Sequence, residues 1–219
     1  MATRADAAAS PSGVAASAGG CQRGDGSLRA VFVQHRLIVG MPPLPGIDPI
    51  ARQDIVAAIV DRLLAVPGGL EPLMLLQRDG ALLQRATIVA VLTVVLARRV
   101  GWPDEQLADL GAAALLHDLG AVLDPERPAT ASFAWLLDRP ADDFWLRCAL
   151  VARCWREDHG TLATAGRSFG LPAIVRMAVE CADLVARSHH GPLAATLAAS
   201  SMAGAFPLEL IGALPDPQP

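Results

Sequence analysis

Apolar positions along this chain recur with a helical period from about residue 48 onward. Ile55, Ile59 and Leu63 lie four residues apart, which sets one apolar stripe on a helix. Asp48-Pro49 gives that helix a capping side chain and a Pro in its first turn, and the run VPGG, Val66 to Gly69, stops it near Ala65. Leu73 to Gln77 opens a short helix. Ala81 to Val100 reads as a long and almost wholly apolar one, ended by Gly101 and Pro103. Pro103 to Leu123 gives the next, with Asp104 and Glu105 suited to the positive end of the helix dipole. Breaks at 124–128 and 138–143 separate two further helices, over 130–137 and 142–157. Residues 160–170 read as a loop, Pro172 to Arg187 as a helix and 192–202 as the last one. Before all of these, residues 29–37 read as a short strand or a helix, and MPPLPG, Met41 to Gly46, must be extended or turned.

The pattern therefore predicts an all-α fold. Residues 1–28 lack apolar periodicity, are rich in Ala, Ser and Gly, and read as a disordered tail. Residues 29–70 form an N-terminal linker and helical segment, and 71–216 a helical domain. The Phe206–Pro219 stretch is punctuated by Pro.

Composition narrows this further. Hydrophobic residues make up 53% and charged residues 18% of 219, enough apolar material for a real core. Aromatics are only 4% and Tyr is absent. The mean hydropathy of +0.38 thus comes from Ala, Leu and Val, which suits small-residue helices better than a β-sandwich. All 18 basic residues are Arg, so chemistry that needs a Lys, such as a Schiff base or a P-loop, is excluded. A net charge of −4 leaves no basic footprint for nucleic acid. Cys21, Cys148, Cys154 and Cys181 lack CxxC spacing and read as reduced thiols of a cytoplasmic protein. The apolar run Ala86 to Ala97 falls short of the ~20 residues that span a bilayer, so no membrane association is expected.

One constellation carries chemistry. His117-Asp118 lies within AAALLHDLG, an apolar context in which an ionisable pair is costly unless a metal, a partner or a hydrogen bond compensates. It reads either as a satisfied core His with its Asp or as part of a metal site.

Around that pair the chain resembles the HD superfamily of metal-dependent phosphohydrolases, in its HD-GYP branch. Residues 77–126 resemble that family's helix, loop and HD helix in order, and ERPATASFAWLL resembles its HP segment. LPAIVRMAVECADLVAR is similar to its helix ending in a metal-binding Asp, and FPLELIGALPDPQP to its closing stretch. VQHRLIVGMPPLPGIDP is similar to the linker upstream of some members. The likeness covers roughly residues 32–216 and implies an HD-type helical bundle. Active members hold two or three metal ions and hydrolyse cyclic di-GMP.

The departures from the family pattern carry the functional expectation. The resemblance places metal ligands at His117, Asp118 and Asp183. It places Arg85 where the family has a His at the start of the long helix, and Arg127 where the HP segment has its His. Ala121 stands for the Lys or Glu after HD. Cys154, Trp155 and Arg156 stand for the HHE triplet, and GTLATAGRSFG replaces the GYP loop. An Arg is always charged and cannot ligate a cation, so Arg85 and Arg127 are expected to face Asp118 and Asp183 in place of ions.

His159, His189 and His190 are possible replacement ligands, against plain surface and helix-end roles. Cys154 is a soft ligand or a buried apolar thiol. Glu157 and Asp158 read as solvated charges. Arg147, Arg153 and Arg156 form either a phosphate-facing stripe or a solvated helix face.

The expected function is a degenerate, catalytically inactive HD-GYP-like domain acting as a bacterial signalling or protein-interaction module. It would carry no cofactor. Its partner would be a protein of a signalling pathway, with cyclic di-GMP as the small-molecule candidate. The alternative is a metal-dependent phosphohydrolase with a rebuilt site, using Fe or Mn on His117, Asp118 and Asp183. A third reading has the domain bind cyclic di-GMP without cutting it.

Overall fold

A computed structural model of the chain describes residues 34–39, 41–44, 46–156, 170–187 and 212–213. The expectations placed on 1–28, 160–169, 192–202 and most of 206–219, and on Glu157, Asp158, His159, His189 and His190, lie outside the described residues.

The described residues form an all-α fold of eight helices without a strand. They are α1 (Pro49–Ala65), α2 (Leu70–Leu76), α3 (Gly80–Arg99), α4 (Asp104–Leu115), α5 (Gly120–Leu123), α6 (Pro128–Leu137), α7 (Asp143–Cys154) and α8 (Leu171–Arg187). A helical turn over 34–39 precedes them, settling the strand-or-helix alternative for the part of 29–37 that is described.

Local chemistry sets most of the ends. Asp48 caps α1 by accepting the Ile50 N–H at 2.8 Å, and Asp79 caps α3 by accepting from Ala81 and Leu82. Asp142 does the same for α7 through Phe144. At the far end of α3, Gly101 adopts φ +85°, and the Trp102 N–H reaches back to the Ala97 carbonyl at 3.0 Å. That is a Schellman closure, which needs a left-handed residue where Gly stands.

α3 is the centre of the fold. It packs most extensively on α4 and α8, and also touches α1 and α2. Twelve of its residues are buried, from Leu83 to Ala97. By length and composition α3 is the one described helix apolar enough to cross a bilayer, although its uninterrupted apolar run, Ala86 to Ala97, is shorter than a span. In this fold 67% of its apolar window is covered by protein. Leu37, Leu44 and the α1 residues Ile55 to Leu63 belong to the same apolar cluster as α3, α4 and α8.

The expected single helix over 103–123 is broken. α4 ends at Leu115, and His117-Asp118 lies in a turn before α5. Over this stretch the backbone bonds tighten to the i→i−3 pattern: His117 to Ala114, Leu119 to Leu116, Ala121 to Asp118 and Val122 to Leu119. Gly120 shows why the chain bends here. A Cβ on it would sit 1.9 Å from the Pro128 carbonyl oxygen and 2.6 Å from the Ser132 nitrogen. α6 thus crosses α5 backbone to backbone, and the buried Ser132 hydroxyl accepts the Gly120 N–H at 2.6 Å.

Because the colliding atoms are backbone, the crossing cannot yield to a methyl group. Gly120→Ala should destabilise the protein by ~2–4 kcal/mol in denaturant melts. Gly80→Ala, whose Cβ meets nothing within 4 Å, should leave stability unchanged or raise it by up to ~1 kcal/mol.

Candidate functional site

Four elements bring the site together. The short Gly101–Pro103 connection lays α4 against α3, so Arg85, one turn into α3, faces the turn that carries His117-Asp118. α8 packs on the other side of α3 and delivers Asp183. The end of α7 delivers Trp155 and Arg156.

Arg85 is the hub. Its Nε donates to Asp183 Oδ1 at 2.8 Å and its Nη2 to Asp183 Oδ2 at 3.2 Å, a two-pronged guanidinium–carboxylate pair. Its Nη1 lies 3.5 Å from Asp118 Oδ2. The hydrogen bond to Asp183 raises the Arg85 pKa above the ordinary guanidinium value, against the opposing effect of burial. On the other side of Asp118, Arg156 Nη2 stands 3.4 Å from Oδ1. The Arg156 guanidinium also lies 4.7 Å above the Trp155 ring. Each oxygen of the two carboxylates therefore faces a guanidinium.

His117 sits beneath this network with no exposure to solvent, and Asp118 with 8%. The ring packs edge-on against Trp155, centroids 5.0 Å apart at 80°. Its Nδ1 lies 2.6 Å from the Ala114 carbonyl, which the helix break makes available. Burial pushes the His117 pKa down to about 4, and Arg85 and Arg156 add to the effect, against Asp118 and the Ala114 carbonyl. The ring is therefore neutral at pH 7, and a nitrogen facing a carbonyl must carry the proton, so Nδ1 donates. Nε2 then bears the lone pair, buried and without a hydrogen-bond partner among the described residues.

These residues do not fit a bound divalent ion. The HD resemblance asks for cation ligands at His117, Asp118 and Asp183, and the two carboxylates are instead spanned by Arg85. A cation there would meet guanidinium charge and compete for oxygens already engaged. Among the described residues no group of three or more His, Cys, Asp or Glu converges.

Two expectations are corrected. Arg127 does not enter the site: its side chain is 78% exposed and pairs with Asp124 at 3.6 Å. Arg127 is the residue before Pro128 at the N-terminal end of α6, where its backbone leaves the helical region (φ −136°, ψ 57°) and its side chain lies at the surface. The second cation is Arg156, which the sequence offers as a cation only in the Arg147–Arg153–Arg156 stripe. The Arg147–Arg153–Arg156 stripe is also divided. Arg147 lies 3.6 Å from Asp109, which also pairs with Arg62, Arg153 is on the outer face of α7, and only Arg156 joins the site.

Of the remaining positions, Trp155 is buried against His117, Cys154 is half-buried at the end of α7, and Ala121 is half-buried beside the turn. Burial raises the pKa of Cys148, and raises that of Cys181 to about 12, so both are unreactive thiols at neutral pH.

No protein-family profile, curated protein or solved structure matches this chain.

The buried neutral His117 predicts a pH dependence. Its folded pKa of about 4 lies below the unfolded value near 6.5, so unfolding takes up a proton between those values. Stability should be full above pH ~6.5 and fall by up to ~3 kcal/mol as pH drops to ~4. Urea melts at pH 7 and pH 4.5 measure it. The His117→Asn variant, starting from its own lower stability, should show a shallower loss over the same interval; an equal loss would assign the slope to other groups.

Proposed function

We propose that this chain is a degenerate HD-GYP-like domain in which an arginine–carboxylate network stands where the family holds metal ions. On this reading it does not hydrolyse phosphodiesters, and serves as a cytoplasmic signalling or protein-interaction module. The observation that carries it is Arg85, which grips Asp183 with two nitrogens and reaches Asp118 with a third. Hydrolysis in this family's manner needs a metal-activated water and a Lewis acid for the developing charge. Guanidinium groups supply positive charge but neither deprotonate water nor coordinate it. The positions of Arg85, Trp155 and Arg156 support the same reading, since each replaces a ligand of the resemblance with a side chain that has no lone pair to offer a metal ion.

The test is metal analysis of the purified protein together with a cyclic di-GMP hydrolysis assay in Mn²⁺ or Fe²⁺. Metal should be far below one ion per chain and hydrolysis indistinguishable from background. Arg85→His should not restore it, because Trp155 and Arg156 remain. Steady turnover by the wild type, abolished by Asp118→Ala, would overturn this reading in favour of a rebuilt phosphohydrolase site.

A further inference from the structure

The outward face of α7 is not used by the site. Asp143, Leu146, Leu150 and Arg153 are exposed, while Phe144, Trp145, Cys148, Ala149, Val151 and Ala152 are buried. Steps of three, four and three residues place the exposed four on a single narrow stripe, the spacing of a two-helix seam. Leu146 is 47% exposed and Leu150 49%. Leu137, 52% exposed at the end of α6, lines with Leu146 and Pro140 a surface hollow of about 360 Å³. Most large apolar side chains here are buried, so three half-exposed leucines on adjoining helices form a patch rather than scatter.

We propose that this stripe is a homodimer seam, occupied by α7 of a second copy of the chain running antiparallel. The stripe is complementary to itself in that orientation alone. Leu146 and Leu150 lie two residues on either side of Cys148, and Asp143 and Arg153 five residues on either side. A two-fold axis passing beside position 148 therefore sets Leu146 against the partner's Leu150 and Asp143 against the partner's Arg153, at both ends at once. A parallel pairing would set acid on acid and base on base. Arg153 can serve the partner's Asp143 alongside its contacts within the chain, because a guanidinium has five N–H donors. The hollow beside Leu146 receives the partner's Leu150. A seam of one short helix with Leu137 at its edge is small, so the dimer exchanges with monomer as concentration changes.

Sedimentation velocity on the full chain, from low to high micromolar concentration, tests this. The mass should rise from 22.8 kDa toward twice that value. Leu146→Glu with Leu150→Glu should stay monomeric throughout, with unchanged far-UV dichroism because both side chains are at the surface. Asp143→Arg and Arg153→Asp, each alone, put like charges at both ends and should weaken association at least ~10-fold. Mixing those two variants should restore a dimer, since each then meets its opposite. A wild type that is monomeric at every concentration, a dimer that survives the Leu146→Glu, Leu150→Glu change, or a mixture no more associated than its components would each overturn the proposal.

Discussion

A guanidinium is charged at every accessible pH, so a helical bundle that carries one on an inner face must give it carboxylates. Arg85, on α3, has that requirement met from two other elements at once: the turn after α4, with Asp118, and helix α8, with Asp183. The arrangement fixes the relative positions of these elements more strictly than apolar contact does, because a two-pronged pair has a preferred plane and direction. Arg156 extends the network to the end of α7. The site is in effect a four-way polar junction over the neutral, fully buried His117.

Such a junction adds direction more than net stability. Arg85, Asp183 and Arg156 are each about one-third to one-half exposed, and ion pairs at that depth contribute little once solvent screening is counted. Cohesion comes from the apolar core around α3, a helix built of Ala, Val, Leu and Ile with its buried Thr87 hydroxyl returned to the Leu83 carbonyl. The small residues of α4, Gly111 to Ala114, let that helix lie close. At Gly111 a Cβ would meet Ile59 and Val94 side chains within 3 Å.

Much of this architecture is legible in the sequence. The cap at Asp48, the Gly101 terminator and the apolar periods locate most helices to within a few residues, because each signal is local. The break at 116–119 is not legible from the apolar period, which runs on through it; what accompanies the break is the close packing of α6 on Gly120, a contact that no helical period encodes. Within the site, the pairing of Arg85 with Asp183 follows from charge once the two are on facing helices. The exchange of Arg127 for Arg156 does not follow. Alignment to a family pattern assigns positions, whereas the direction of a side chain before a Pro is set by backbone geometry. Trp155 reads as a lost ligand in the sequence and is, in space, the wall against which His117 packs.

The Arg85 junction also constrains how the chain can change over generations. Asp118 and Asp183 share one cation, so replacing Arg85 by a neutral residue leaves two carboxylates facing a common space with one fewer positive charge. Replacing either acid leaves the guanidinium short of an acceptor. Each single step thus alters the setting of the other two residues, so substitutions at the three positions are coupled in their effects. A descendant that held an ion here would have to alter Arg85 and acquire further donors from the end of α7 almost together.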